Sequence, residues 1–462
     1  MLVAPTKPKV LIIGAGLGGL TMAILLEKAS IDYEIFERSA APRALGSATS
    51  LTPNVLPLLE QLGLLEGLRQ ISKKVLGCGI YQEAPEGDLS KVGESNVSEY
   101  EAVCGYHSFI MARPDLHTLL LSHVPAHKVH FGKRVLSISQ DDDHGVLIRT
   151  SDGKTHEGDI LIGCDGAYSG VRQSLYKNLA AEGLLPASDG EDMKVCHMSI
   201  LGTTEHVDPK QIPAVAEELS RCDAIIGYNK PHTWRYFAVP GDRICWRVDV
   251  QLDSKTFTHT DAFKNSEWGS EASGSIEDDW RAFRVPIGGT IGDLINLTPQ
   301  ESVSKVMLEE KLYTTWYHSR TVLMGDACHK MLPNAGRGAV NAMLDAVILA
   351  NAIYEIADDA TPENILAAFK GYYKERYAHA KTDLESSQFA ARLLAGQSWT
   401  DAILRKVLFN FMPTSLQRKT YEKTLSYRPQ ASFLPKIPNR GTGPVVAQKE
   451  SKRYEREQAK DA

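Results

Sequence analysis

The strongest constraint on the fold lies within the first forty residues. Lys9-Val-Leu-Ile-Ile-Gly14-Ala-Gly16-Leu-Gly-Gly19 runs a short apolar strand into a glycine turn and then into a helical pattern, and the next apolar stretch ends on Glu37. A strand at Val10–Ile13, a helix from Leu17 to Ser30 and a strand at Tyr33–Phe36 make the beginning of a parallel βαβ unit. The glycines have separate tasks in this order. Gly14 permits the tight turn, Gly16 lets the backbone approach a pyrophosphate, and Gly19 lets helix lie close on strand. The helix start presents partial positive charge to the phosphates, and Glu37 offers an acceptor to a ribose hydroxyl. The pattern predicts an adenine dinucleotide and leaves the reaction open.

With 462 residues the chain can form two or three domains. Its apolar and charged fractions, 43% and 23%, suit a soluble globular protein, and a net charge of -6 gives no basis for nucleic-acid binding. The seven cysteines form no CxxC pair, which suits reduced thiols. No secretory signal, spanning apolar run or lipidation address is evident, so a cytoplasmic location is expected. No metal site is expected, and the assembly is expected to be a monomer or homodimer.

The pattern further along implies a mixed α/β, α+β architecture. Residues 1–179 read as the first part of a dinucleotide-binding domain. Within them, Leu51 to Gly63 reads as loop then helix, and a helix starts near Arg113-Pro114. Val135–Ser139, Val146–Thr150 and Thr155–Ile162 alternate, split by the turn signals Asp141-Asp-Asp-His-Gly145 and Ser151-Asp-Gly153. Residues 180–318 are strand-rich and read as an inserted, largely antiparallel substrate domain, broken by polar stretches such as Asn265–Gly274. Residues 319–395 return to the first domain, with a buried strand at Thr321-Val-Leu-Met and long helices from about Arg337 to Ile356 and from Pro362 to Leu394. Residues 396–462 read as a C-terminal helix and a tail that wraps the surface or stays disordered.

Two further stretches follow the glycine turn: Gly163-Cys-Asp165-Gly166-Ala-Tyr-Ser169-Gly-Val171-Arg172, and Gly325-Asp326-Ala-Cys-His329-Lys-Met-Leu-Pro333-Asn-Ala-Gly336-Arg337-Gly338. Each alone is a common strand end or turn; their order is specific. Together they resemble the flavoprotein aromatic hydroxylases, the group A FAD monooxygenases with the p-hydroxybenzoate hydroxylase fold, over roughly residues 9 to 395. The Ser50–Asn54 region, Arg113 and the tail run Phe433–Gly441 resemble the fungal branch, whose members oxidise terpenoid, polyene or aromatic natural products.

The resemblance implies a Rossmann-like FAD/NAD(P)-binding domain and assigns roles by position. Gly14, Gly16 and Gly19 would cradle the FAD pyrophosphate and Glu37 would hold the adenosine ribose. Ser50 and Arg113 match positions that contact FAD, and a guanidinium can also fork onto phosphate on its own chemistry. Asp165 and Arg172 match the mid-chain motif linked to FAD and reduced nicotinamide. Asp326 would hold the ribityl chain. Pro333, Gly336, Gly338 and Ala339 would lie along the isoalloxazine, with helix-start N–H groups stabilising negative charge on the reduced ring. The implied cycle uses NADPH or NADH as a transient reductant and O2 as co-substrate, and a flavin C4a-hydroperoxide hydroxylates or epoxidises a hydrophobic or aromatic small molecule.

The chain departs from the family pattern at one place. Relatives carry Gly-Gln-Gly-x-Asn beside the flavin; here Arg337 replaces the Gln and Val340 the Asn, with Asn341 one place later and Asp345 as the following acid. Arg337 is expected either to stabilise the anionic reduced flavin or an anionic substrate, or to turn to solvent. His329 is expected to be structural. Period-two alternation puts Trp234, Tyr236 and Ala238 on one face with Ile244, Trp246, Val248 and Val250 on the facing strand, as a pocket wall or as sheet core. Tyr228 lies where fungal relatives place a substrate-activating tyrosine; strand-end packing is its other reading. A flavin-dependent reductase of isoprenoid alkenes and a non-catalytic nucleotide-binding escort protein are the alternative functions. Ile403–Leu416 mixes Leu, Phe and Met with Arg and Lys, so a weak membrane contact stands beside packing on the FAD domain.

Overall fold

A computed structural model of the chain describes residues 7–42, 46–141, 145–252, 267–268, 270–274, 276, 278–396 and 398–461. The glycine-turn strand Val10–Ile13 lies in the middle of a six-stranded sheet. Its spatial order is Tyr317–His318, Thr321–Leu323, Ile160–Gly163, Val10–Ile13, Tyr33–Phe36, Val129–His130. All neighbours are parallel except the first pair. Parallel strands covered on both faces read as unbroken apolar runs, and Val10, Leu11 and Ile12 are fully buried. The helix Leu17–Lys28 buries ten consecutive residues from its start. Gly18 brings it against Ala342 and Met324, so this helix packs on the later helix Gly338–Ile356.

A three-stranded antiparallel sheet, Val135–Asp141, Gly145–Thr150 and Thr155–Gly158, flanks this core. Its second turn uses Gly153 at φ +82°. Residues 142–144 of the first turn signal lie outside the described residues, as do residues 265, 266 and 269 of the polar stretch 265–274.

The larger sheet has eleven strands. Lys194–Thr203, Arg243–Gln251, His232–Val239 and Leu219–Ile226 are antiparallel neighbours in its centre. The sheet does not stop at the start of the strand-rich segment. Leu219–Ile226 pairs in parallel with Lys73–Glu83, and Phe109–Ala112 and Ala48–Leu51 continue the edge. The two parts of the chain are therefore stitched by backbone hydrogen bonds, which holds one sheet face against the first domain.

The long helices begin and end close to where periodicity places them, at Gly338–Ile356 and Pro362–Ala395. The second has Thr361 as N-cap, its side chain accepting from Asn364 N–H. The tail wraps: Asn54 Nδ2 donates to Thr424 O and Tyr427 O at 2.9 Å, Gln61 Nε2 to Ala431 O, and Arg440 pairs with Glu60. It ends in a further helix, Lys452–Asp461.

Candidate active site

The glycine turn is built by close approach. Gly14 has φ +108°, and a Cβ there would lie 2.6 Å from Cys164 O. A Cβ on Gly19 would lie 2.0 Å from Gly14 O and 2.9 Å from Cys164 Sγ. Strand, turn, helix and the Cys164-Asp165 loop thus occupy space that only glycine leaves free. At Gly16 the same test meets nothing within 4 Å, so the backbone there faces open space.

That space is a cleft of about 340 Å³ lined by Gly14, Gly16, Glu37, Leu136, Asp165 and Tyr168 among others. Glu37 accepts from Ala15 N–H at 3.0 Å and Ser39 N–H at 2.8 Å, which fixes its carboxylate at the cleft wall. Asp165 Oδ2 accepts from Gly170 N–H and Val171 N–H at 2.7 and 3.2 Å, while its buried Oδ1 has no hydrogen-bond donor among the described residues. Burial raises the Asp165 pKa against the lowering effect of these donors. Arg172 acts as a clamp between the second and third stretches, donating to Ala327 O and Ala167 O at 2.8 and 2.7 Å.

Arg113 begins its helix after the strand Phe109–Ala112, with its stem against Gly46. Its side chain is open to water yet recessed between protein walls: desolvation lowers its pKa, and the charge of Asp326 works the other way. Among the described residues its guanidinium makes no hydrogen bond that would compete with a ligand. His117, four residues on, holds the helix to the glycine turn through Nε2 and Ala15 O at 2.7 Å.

The third stretch turns tightly at Gly325–Ala327 and Pro333–Ala335, then enters the helix at Gly338. Asp326 receives Lys330 Nζ at 2.7 Å. Gly336, in the left-handed region at φ +64°, lies so close to Ser50 that a Cβ would come within 2.7 Å of its Oγ. The opening amides of a helix have no partner inside it, so those at Gly338 and Ala339 form a donor edge beside Ser50.

The guanidinium of Arg337 is turned neither to solvent nor into open space. Its Nε and Nη2 fork onto Asp383 at 3.2 and 3.1 Å, and Nη1 donates to Thr52 Oγ1 and Asn54 Oδ1 at 3.1 and 3.0 Å. This charge, expected to serve flavin or substrate, is spent on holding the third stretch to the long helix and to the 52–54 loop. Behind it, Asp345 accepts from Gly325 N–H at 2.9 Å, Arg376 Nε at 2.8 Å and His329 Nε2 at 2.5 Å. Burial pushes the Asp345 pKa up, but the His329 and Arg376 charges outweigh it and hold it at about 2. Cys328, His329 and Asp345 lie within 4.8 Å of one another, yet Arg376 already neutralises the acid.

The large sheet turns its other face to this loop. Trp234, Tyr236, Ile244, Trp246 and Val248 are buried with Trp280, Phe283 and Ile291 in a separate core. The apolar face offered as a pocket wall is thus sheet core, closed by its own helices. The alternate residues look toward the first domain. Phe237 and Cys245 pack on Ala48 and Ala112. Arg235 Nη1 reaches Asn334 O at 3.4 Å, and Arg235 and Arg247 are cross-strand partners. Arg247 Nη2 lies 2.8 Å from Asp249 Oδ2, an ion pair without hydrogen-bond angles. Arg235 Nε and Nη2, Arg247 Nε and both ring nitrogens of His197 are buried without a hydrogen-bond partner among the described residues. Burial, then the neighbouring Arg247, lowers the Arg235 pKa to about 10. Tyr228 stands apart, on the turn after Leu219–Ile226 with its side chain 42% exposed; its N–H donates to Glu83 at 2.9 Å.

The sequence reading missed His117, Asp383, Arg376, Arg235 and Arg247. Arg376 carried a signal: with Phe369, Tyr372 and Ala380 it falls on the buried stripe of its helix, and a cation on such a stripe requires a buried acid.

These residues fit a flavin dinucleotide. Gly16 leaves its backbone open, Arg113 is a cation with no hydrogen-bond acceptor among the described residues, Glu37 and Asp165 present acceptors at the cleft, and the Gly338 helix start supplies donors. Comparison with known proteins agrees. Residues 7–215 and 259–387 match the family described as FAD binding domain. The chain is similar to FAD-dependent monooxygenase cle3 of Aspergillus versicolor, with 27% identity over 96% of this chain and 88% of that protein. It is similar to FAD-dependent monooxygenase ausM of Penicillium brasilianum, with 28% identity over 93% and 88%. In three dimensions it resembles Klebsiella pneumoniae HpxO complexed with FAD and uric acid: TM-score 0.72, 20% identity, 91% of this chain and 97% of the other.

Proposed function

This chain belongs to the FAD-binding monooxygenase family, and from that premise we propose that it places one oxygen atom on a hydrophobic or aromatic natural product by hydroxylation or epoxidation. The overall balance is substrate, O2, NAD(P)H and a proton giving oxygenated product, water and NAD(P)+. Bound FAD supplies the hydride acceptance and the activation of O2. The protein's own part is position, dryness and charge.

In this reading Gly14, Gly16 and Arg113 receive the pyrophosphate, Glu37 the adenosine ribose and Asp326 the ribityl chain. The amides at Gly338 and Ala339 stabilise negative charge at the reduced ring. Asp165 and Ser50 border the same path. Arg337 is a positioning residue, because its contacts are to Asp383, Thr52 and Asn54. The buried donors of Arg235, Arg247 and His197 favour a substrate with an oxygen-bearing end on an apolar frame, since such donors gain most where water is excluded. Tyr228 could touch substrate only if its turn were covered.

One observation carries the proposal. Three stretches separated by about a hundred and fifty residues each, the glycine turn, the Asp165 loop and the Asp326–Gly338 loop, are held together by the Arg172 clamp and the Gly14–Cys164 contact. The test is NAD(P)H oxidation by the FAD-loaded protein against terpenoid, polyene and aromatic compounds, with product mass and O2 uptake. One added oxygen per O2 consumed supports it. A product gaining two hydrogens without O2 uptake would make the chain an alkene reductase, and a colourless protein inert to NAD(P)H would make it an escort protein.

A further inference from the structure

Beyond the cleft, the feature least explained by folding is the outer face of the helix Trp399–Asn410. Trp399 is 75% exposed, Ile403 53%, Val407 49% and Phe411 66%. A spacing of four residues puts them in one stripe along the helix. Leu416, 52% exposed on the following helix, and Phe389, 49% exposed near the end of the preceding one, add large apolar side chains in the same stretch of chain. Large apolar side chains at this density mark an interaction face.

The helix is firmly seated on its other side. Phe409 packs over Gly93, and Asn410 Nδ2 donates to Val92 O at 2.9 Å. Arg405 Nη1 donates to Leu393 O and Gly396 O at 3.0 and 2.7 Å, and Ser398 with Asp401 forms a capping box at the helix start. These contacts fix the stripe outward.

Charge around the stripe selects the partner. Between residues 389 and 423 stand six basic and two acidic side chains, a net +4 in a chain whose total is -6. Of the two acids, Asp401 is used by the helix cap and lies 3.6 Å from Arg392, and Glu422 is paired with Arg418. Arg392 stays 73% exposed despite that contact, and Lys406 on this helix and Lys419 and Lys423 on the next are exposed. An apolar strip with an interfacial tryptophan and a cationic rim matches the boundary between anionic headgroups and acyl chains. Among the described residues the one helix long and apolar enough to span a bilayer is Gly338–Ile356, which lies largely buried in the core. The contact would therefore lie on the membrane without crossing it.

We propose that the Trp399–Phe411 stripe with its basic rim docks this protein on an anionic lipid surface. The site adjoins the substrate sheet: Leu394, at the end of the preceding helix, packs on Ile80, Ala224 and Ile226, and its carbonyl accepts from Thr233 Oγ1. Docking there sets the substrate side of the sheet close to the bilayer, which suits a lipophilic substrate drawn from it; that corollary rests on the function proposed above, whereas the docking does not.

The test is co-sedimentation of the full-length, FAD-loaded protein with phosphatidylcholine vesicles, with and without one third phosphatidylserine. Binding is expected to the serine-containing vesicles, with a blue shift of tryptophan emission that Trp399→Phe removes, and with weakening as salt is raised. Trp399→Ser with Ile403→Ser should lower partitioning by roughly tenfold or more, and Lys406→Glu with Lys419→Glu should abolish the preference for phosphatidylserine. FAD content and NAD(P)H oxidation in vesicle-free buffer should be unchanged, which separates failure of docking from failure of the enzymatic reading. Absence of binding, equal binding to both vesicle types, or binding untouched by the serine variants overturns the proposal. So does a wild-type dimer in solution that the serine variants convert to monomer, because the stripe would then face a second copy.

Discussion

Replacing Arg337 by glutamine tests whether this residue acts through packing or through charge on the flavin. Its fork onto Asp383 joins side chains 11% and 14% exposed, so screening by water is modest. Breaking a buried ion pair from one side costs about 3–5 kcal/mol when the remaining charge has no partner. Here Asp383 keeps Asn341 Nδ2 at 2.8 Å, which lowers the expected loss to about 2–3 kcal/mol. Asp383→Asn removes the opposing charge and leaves Arg337 with Thr52 and Asn54. The double variant should therefore be less destabilised than the two single losses added together, with a coupling energy of about 2 kcal/mol. The assay is chemical denaturation of the four proteins, followed by circular dichroism and flavin fluorescence. Because removing Arg337 and Asp383 together leaves the local net charge unchanged, the midpoint potential of bound FAD should shift by less than about 15 mV in the double variant Arg337→Gln with Asp383→Asn. Strictly additive losses would refute the pairing. A potential shift above about 30 mV, worth 1.4 kcal/mol for two electrons, would show that the cation acts on the ring itself.

Other outcomes follow from single contacts. Gly19→Ala places a Cβ 2.0 Å from Gly14 O, a backbone clash that must open the turn; the purified protein should lose its flavin absorbance, and full FAD retention would contradict the role given to this turn. Arg113→Gln should weaken FAD binding by roughly 10- to 100-fold, the worth of charge-assisted bonds to phosphate. The melting temperature of the apoprotein should stay nearly unchanged, because among the described residues this guanidinium donates to no protein acceptor; isothermal titration and thermal scans read both. The depressed Asp345 pKa predicts stability that is complete above the ordinary aspartate value of 3.8 and is lost as pH falls from there toward about 2. Asp345→Asn should flatten that acid limb in pH-dependent denaturation, and an unaltered limb would place the titration elsewhere.

The order of strands and helices was legible because local rules and tertiary structure agree. Val10–Ile13 is apolar throughout since the helix Leu17–Lys28 and the three-stranded sheet pack on it, and Gly14, Gly63 and Gly336 sit where the chain needs positive φ. What was not legible depends on partners distant in sequence. Arg337 and Asp383 are 46 residues apart, and nothing local distinguishes that pairing from a cation in solvent. Lys73–Glu83 joins the large sheet by pairing with Leu219–Ile226, a choice set by tertiary contact. The last helix, Lys452–Asp461, is almost wholly polar, with Tyr454 and Ala459 its apolar residues; it is held by Arg453, which donates to Tyr354 O at 2.8 Å and pairs with Asp358 at 2.9 Å. Tyr228 was placed by resemblance alone, and resemblance does not report exposure.

The strands His232–Val239 and Arg243–Gln251 show why the substrate face could not be chosen from alternation. Both faces are buried, so period two separates them without ranking them. The useful sign is energetic: a core strand gains nothing from arginine, and two arginines paired across strands repel. Arg235 and Arg247 share that position beside one acid, Asp249, with buried nitrogens unpartnered. A fold carrying such a cost on one face and Trp234 and Trp246 on the other has divided its labour. Arg235→Met should therefore raise the stability of the apoprotein by about 1–2 kcal/mol, as replacing buried ionic groups by apolar ones of similar volume does. In turnover the same variant should release more peroxide per NAD(P)H oxidised, because the substrate end it would hold is no longer fixed. Trp234→Ala should do the reverse, costing about 3–5 kcal/mol of stability while leaving the coupling ratio of the folded fraction intact. If Arg235→Met destabilises the protein and leaves coupling unchanged, the donors of this face serve the fold, and the substrate must be held elsewhere.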